Sequence, residues 1–167
     1  MKTKSFYLTT VMFVVLLICT IGIMAQPVQT KLNQVELAKQ FLGTWQTIIN
    51  KDTVEIWEGK SYGKALIINV YMLIKGVKSD SYLSCIGYDD RDDKLKGYNL
   101  LTNANFETWI GVFTTDKMFK VDGLDTYKPD IIWWKAEFEF KTSAEAIIRN
   151  FNPQGVKTGE WTFKKIK

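Results

Sequence analysis

Apolar and polar residues alternate along much of this chain, with the two-residue period of a β-strand that is buried on one face. The longest such run extends from Ile131 to Lys141. One face of this predicted strand carries Ile132, Trp134, Ala136, Phe138 and Phe140, and the other carries Trp133, Lys135, Glu137, Glu139 and Lys141. The pattern predicts that the first face is buried and the second, here called the wet face, is exposed to solvent.

About ten runs of this kind follow Gly43, and clusters of Gly, Asp, Asn and Lys separate them as hairpin turns do. The predicted strands are Gly43–Asn50, Thr53–Glu58, Gly63–Ile74, Ser81–Tyr88, Leu95–Thr102, Phe106–Thr114, Met118–Val121, Ile131–Lys141, Ala144–Asn150 and Glu160–Lys165. The strand from Phe106 is ambiguous, because one face carries Phe106, Thr108, Ile110 and Val112 and the other carries Glu107, Trp109, Gly111 and Phe113. The sequence therefore does not decide which face of this strand points into the core.

A single short helix precedes the strands, from Asn33 to Phe41, where apolar residues recur near helical spacing before Gly43 ends it. Sequential strands with short turns and no crossover helices predict an all-β fold. We expect a single antiparallel up-and-down β-barrel of about eight to ten strands, because closure removes unpaired strand edges. A flat sandwich is the structural alternative.

The first 25 residues have the pattern of a removable secretory signal peptide. Lys2 and Lys4 form a positive start, an apolar run extends from Val11 to Ile18, and a plausible cleavage site lies between Ala25 and Gln26. The sequence thus predicts a signal peptide over residues 1–25, one domain over residues 26–167, and a secreted or periplasmic protein.

A lipoprotein is the rival interpretation of the same segment, with Cys19 as the acylated residue. The bulky Ile18 directly before Cys19 disfavours it, because lipoprotein processing generally needs a small residue there. A membrane span is also disfavoured, since it needs about 20 mainly apolar residues and polar residues interrupt this stretch.

The rest of the composition excludes several classes of chemistry. The sequence has no histidine, which removes the Ser-His-Asp device, histidine-ligated haem and the usual zinc sites. Without Lys2 and Lys4 the chain has 20 basic and 18 acidic side chains, so its small net charge of +2 gives no reason to expect nucleic acid as a partner. We predict no cofactor and find no recognisable catalytic constellation, so enzymatic activity ranks behind binding.

Three other features have a chemical and a structural interpretation each. The acidic turn containing Asp89, Asp90, Asp92 and Asp93 could bind calcium, but the ligand pattern of an EF-hand is missing and a solvated hairpin tip is favoured. Cys85 has no basic neighbour in sequence, so a buried inert thiol is favoured over a nucleophile. Glu137 and Glu139 lie on the wet face, where cross-strand charge pairing explains them better than a paired-carboxylate site.

The segment Phe41-Leu42-Gly43-Thr44-Trp45-Gln46 resembles the opening of the calycin superfamily, which includes lipocalins and fatty-acid-binding proteins. The strand end Ile86-Gly87-Tyr88-Asp89 is similar to uncharacterised secreted lipocalin-like domains of bacteria. The resemblance covers roughly Val35 to Lys165. It implies that Trp45 packs across the closed end of a barrel and meets an arginine from a late strand, for which Arg149 is the candidate. Such a cation–π pair would stabilise the closed end by about 0.5 to 2 kcal/mol.

The favoured function is that of a non-enzymatic binding protein for a small apolar or amphipathic molecule held inside the barrel. The residues expected to line its ligand site are Trp134, Phe138, Phe140, Tyr82 and Tyr98. The alternative is a surface interaction or carbohydrate-binding module with a filled core, in which Trp133, Trp57 or Trp109 is exposed. A hollow interior would distinguish the first hypothesis from the second.

Overall fold

The computed structural model describes residues 31–167, so the predicted signal peptide and its alternative at Cys19 lie outside the described residues. The described chain begins with helix α1 (Gln34–Ala38), which continues into a 3-10 turn (Lys39–Phe41). Asn33 caps α1, because its side chain accepts a hydrogen bond from the Glu36 backbone N–H. The expected short N-terminal helix is therefore present. No helix among these residues is long and apolar enough to cross a membrane.

Ten strands follow the helix, close to where the alternation predicts them. Their bounds are β1 (Gly43–Asn50), β2 (Thr53–Tyr62), β3 (Ala65–Ile74), β4 (Val77–Asp89), β5 (Lys94–Leu101), β6 (Phe106–Phe113), β7 (Met118–Leu124), β8 (Ile132–Thr142), β9 (Glu145–Phe151) and β10 (Lys157–Lys165).

Each strand pairs antiparallel with the next in sequence, and β10 returns to pair with β1, so the sheet closes into an up-and-down barrel. This confirms the predicted fold class and removes the sandwich alternative. We call the end at which β1 begins the helix end, because α1 lies there, and the opposite end the far end. Gln34 attaches α1 to the barrel: its side-chain amide exchanges two hydrogen bonds with the backbone of Phe113, at 3.1 and 2.7 Å.

The register decides which face of each strand is inside. On β8 the inner face carries Trp134, Ala136, Phe138 and Phe140, as the alternation predicts. On β6 the inner face is the one with Trp109 and Phe113, which are only 6% and 2% exposed, and this resolves the ambiguity in the sequence. The helix half of the barrel is packed with aromatic rings. They are Phe41, Trp45, Phe113, Phe119, Phe140 and Phe163.

Glycines let large rings lie flat against the inner wall. Gly123 on β7 pairs with Trp134 on β8, and a Cβ added to Gly123 would lie 2.1 Å from the Trp134 indole. Gly97 on β5 has the same relation to Trp109 on β6, at 2.4 Å. Because the two glycines have no side chains, the rings of Trp134 and Trp109 can lie directly over their backbones. The rings then cover the inner face of the sheet and leave the centre of the barrel open.

Candidate functional site

A cavity of about 80 Å³ lies inside the barrel. Its volume is that of two to three water molecules at about 30 Å³ each, so it holds a small group without movement of the wall. The lining residues are Phe41, Trp57, Ile68, Val70, Tyr82, Ser84, Ile86, Asn99, Trp109, Phe119, Val121, Trp134 and Phe138. The barrel is thus packed at the helix end and hollow farther along its axis.

Three of the five residues predicted to line the ligand site border this cavity, namely Trp134, Phe138 and Tyr82. Phe140 faces inward but lies deeper, in the packed cluster against Phe41 and Trp45, and is 3% exposed. Tyr98 is on the outer face of β5, 47% exposed and beside Cys85 of β4. The structure therefore does not bring Phe140 and Tyr98 to the cavity.

Asn99, not Tyr98, is the inward polar residue of β5, because alternation places the two on opposite faces. The indole N–H of Trp109 donates to its Oδ1 at 3.3 Å, and its Nδ2 contacts Glu107 Oε2 at 3.5 Å. This chain of contacts leads from the apolar cavity to a carboxylate on the same inner face of β6. The sequence analysis missed both Asn99 and Glu107.

A second carboxylate, Glu55 of β2, also faces inward, two residues from Trp57, whose indole N–H donates a hydrogen bond to it. Burial raises the pKa of the Glu55 carboxyl above its ordinary value, and the hydrogen bond from Trp57 opposes this only in part. Burial also raises the pKa of the Tyr82 hydroxyl, and the charges of Glu55 and Glu107 raise it further. Both carboxylates thus act electrostatically on Tyr82, which lines the cavity, while neither carboxylate is itself among the lining residues.

The closure of the barrel is narrow at one seam. Only two residue pairs join β1 to β10, Trp45 with Lys165 and Gln46 with Lys164, and both are at the helix end. Toward the far end the two strands separate around a space of about 280 Å³. The residues lining it include Thr47 and Trp161, whose positions in the register are on the inner face of the wall. β1 and β10 therefore share fewer register pairs than any other two neighbouring strands of the barrel.

The far end is rimmed by apolar side chains that are accessible to solvent. Each belongs to the end of a strand or to a far-end loop, and Tyr127, at 92% exposure, is the most exposed of them. The members of this far rim are Ile48, Ile49, Ile74, Val77, Leu100, Phe106, Tyr127, Ile131, Trp133 and Val156. An exposed apolar patch of this kind is typical of a surface that contacts an apolar ligand or partner.

Trp45 and Arg149, expected as a barrel-closing pair, do not meet. Trp45 is 4% exposed at the helix end, and the cation over its ring is Lys165, with Nζ 4.9 Å from the ring centre. Arg149 is on the outer face of β9, where it forms ion pairs with Glu139 and Glu160 at 2.9 Å each. Trp45 is thus buried at the helix end, and the cation over its ring is a lysine from the last strand and not the expected arginine.

Of the aromatic residues expected on a surface module, only Trp133 is on the surface. Trp109 is buried, and Trp57 packs against Phe138 and Phe163 inside the barrel. A larger groove of about 480 Å³ lies on the outer wall over β6, β7 and β8, but neither Trp133 nor any other tryptophan lines it. The structure thus offers no aromatic platform at this groove.

The remaining sequence features have structural roles. Asp89 forms ion pairs with Arg91 and Lys96 at 2.6 and 2.8 Å, which offset part of the negative charge of the acidic turn. Glu137 pairs across strands with Lys120 at 2.9 Å. Within residues 31–167, no cluster of His, Cys, Asp or Glu side chains is arranged to hold a metal ion.

Comparison with protein-family models finds no matching family, and comparison with curated proteins finds no similar sequence. A ten-stranded meander barrel does not by itself distinguish the calycin superfamily. The resemblance therefore stays a prediction, and a proposal for the function has to rest on the cavity and its chemistry.

Proposed function

We propose that this protein binds a small amphipathic molecule inside the barrel and has no enzymatic role. The observation that carries the proposal is the cavity around Tyr82 and Ser84, an aromatic enclosure with a few polar groups at its wall. Pockets that bind small molecules have this composition, in which apolar walls supply affinity and a few polar groups fix orientation.

Two further features support this function. The seam between β1 and β10 offers a lateral path beside the inner face of the barrel. The far rim surrounds the same half of the barrel with exposed apolar side chains, which suits capture of a molecule with an apolar portion. We also propose that the protein acts outside the cytoplasm, as the pattern of its first 25 residues predicts.

Xenon is a suitable probe, because it occupies apolar cavities and needs no polar partner. We expect xenon under pressure to shift the indole N–H resonances of Trp57, Trp109 and Trp134, which line the cavity, and to leave that of Trp133 unchanged. Phe138→Ala enlarges the cavity and should also admit benzene. The matched control is Phe140→Ala, which removes the same ring from the same strand at a packed position.

Phe140→Ala should destabilise the fold by about 3 to 5 kcal/mol, the cost of truncating a buried phenylalanine. Phe138→Ala should cost less, because its ring already borders free space. An absence of xenon shifts, together with equal losses for the two variants, would mean that the interior is solid. The surface module with Trp133 would then be the better hypothesis.

A further inference from the structure

The inner wall of the far half carries negative charge with no compensating cation. Neither Glu55 nor Glu107 forms an ion pair with any residue in the range 31–167, and their side-chain partners are the neutral Trp57 and Asn99. The lysine that lies over an inner-face ring is Lys165, and it is at the helix end. A ligand entering the far half therefore meets two carboxylates, and the register of the described strands places no lysine or arginine on the inner face there.

The same region presents π-faces and an unsatisfied hydroxyl. Ser84 borders the cavity and is 5% exposed, yet its hydroxyl has no hydrogen-bond partner among the described residues. Trp57, Trp109 and Trp134 surround it with indole rings. The π-electrons of an indole face attract a cation, and a hydroxyl oxygen accepts a hydrogen bond from an ammonium N–H. The buried hydroxyl and the rings thus supply what a cationic group requires.

We propose that the cavity selects an organic cation, a primary ammonium group on a small apolar body, with Glu55 and Glu107 as its counter-charges. This rests on the proposed function and specifies its ligand class. The ammonium lies toward Glu55, Glu107 and the Ser84 hydroxyl, and the apolar body lies against Trp134 and Phe138. Burial of the Glu55 carboxylate is costly without a partner, and a bound cation reduces that cost because it replaces lost hydration with direct attraction.

The order of affinity among three compounds of one shape tests the charge preference. Isobutylamine, isobutanol and 3-methylbutanoate share a branched apolar chain and carry positive, no and negative charge at neutral pH. Titration calorimetry on the whole protein should rank the amine first, the alcohol at least about tenfold weaker, and the carboxylate without detectable binding. A charged hydrogen bond of about 1.5 to 3 kcal/mol corresponds to a factor of ten or more in affinity.

Glu55→Gln and Glu107→Gln should each weaken isobutylamine binding by about tenfold and weaken isobutanol binding much less, because the alcohol carries no charge. The control is Glu58→Gln on the outer face of β2, whose carboxylate accepts a hydrogen bond from Tyr71 at 3.0 Å. It removes the same charge from the same strand and should leave both affinities unchanged. If a Gln variant does not fold, the ranking of the three compounds by the parent protein still decides the question.

Equal affinity for isobutylamine and isobutanol would overturn the cation preference and leave the barrel a binder of neutral molecules. Unchanged amine affinity in folded Glu55→Gln and Glu107→Gln variants would also overturn it. If none of the three compounds binds and xenon shifts no indole resonance, the proposed function itself fails, and the cation preference fails with it.

Discussion

The contact between Gly123 and Trp134 gives a sharp test of how the cavity wall is built. Gly123→Ala adds a methyl group whose Cβ would lie 2.1 Å from Cε2 and Nε1 of the indole. Non-bonded carbon atoms in contact are separated by at least about 3.5 Å, so the ring must move by roughly 1.4 Å. The added Cβ points inward, so the movement takes the ring into the cavity.

We expect Gly123→Ala to lower the free energy of unfolding by a net amount of about 1 to 2 kcal/mol. Forcing an extra methylene group into a packed site typically costs about 1 to 3 kcal/mol. Replacing glycine by alanine recovers about 0.4 to 1 kcal/mol through the reduced freedom of the unfolded chain. For a domain of this size, the loss corresponds to a decrease in Tm of roughly 4 to 8 °C.

Thermal and urea unfolding of Gly123→Ala and of Gly87→Ala measure the effect. Gly87 is the control, because a Cβ there would lie 4.0 Å from the nearest atom, the Lys96 carbonyl oxygen. Gly87→Ala should not lower Tm, and only Gly123→Ala should reduce xenon binding. In a Trp134→Ala background the cost of Gly123→Ala should disappear, since the clashing ring is gone. Equal melting of the two glycine variants would refute the placement of Trp134 against β7.

Three further predictions concern the closed end, the inner charge and the N-terminus. Trp45→Ala should cost about 3 to 5 kcal/mol in urea unfolding, whereas Trp45→Phe should cost much less, because the buried Trp45 Nε1 has no hydrogen-bond partner within residues 31–167; equal losses would contradict this. Burial raises the pKa of Glu55 above its ordinary 4.5, so the folded state holds that proton more tightly than the unfolded state does. The parent protein therefore loses stability as the pH rises through the interval above 4.5. Glu55→Gln should raise Tm at pH 7 but not in acid, whereas the outward Glu58→Gln should not raise Tm at pH 7. Intact mass of the exported protein should show a chain beginning at Gln26, and a diacylglyceryl group on Cys19 would overturn that prediction.

The sequence predicts the fold well because alternation and turn residues are local signals. It places all ten strands, and most of its errors are at strand ends. The predicted strand Met118–Val121 stops early, since Asp122 and Gly123 have the composition of a turn. In the structure β7 continues to Leu124, because the Trp134 ring covers Gly123 from the next strand. That contact is non-local and leaves no mark within the segment itself.

The site is harder to predict than the fold, because its polar residues resemble those of a solvated face. Glutamates such as Glu55 and Glu107 usually lie on the protein surface. Each of them nevertheless lies on the same face of its strand as an inward tryptophan two residues away. This two-residue spacing from a tryptophan was the signal in the sequence that could have placed the two glutamates on the inner face. Tyr98 shows the opposite error. Its aromatic ring suggested that it lines the ligand site, whereas the residue of β5 that lines the cavity is Asn99. Arg149 was assigned by the resemblance alone, and its neighbours Glu139 and Glu160 hold it outside.

Selection for stability alone does not account for the carboxylates on the inner face of this barrel. A barrel selected only for stability would carry an apolar side chain at position 55, because a carboxylate without a counter-charge loses hydration on burial. Here the helix half follows that rule with packed rings, whereas the interior next to these rings and toward the far end combines a cavity, two carboxylates and the unbonded Ser84 hydroxyl. Departures from local stability rules are expected where a protein binds something. The proposed binding function would account for the division of the interior into a packed part and a charged, hollow part.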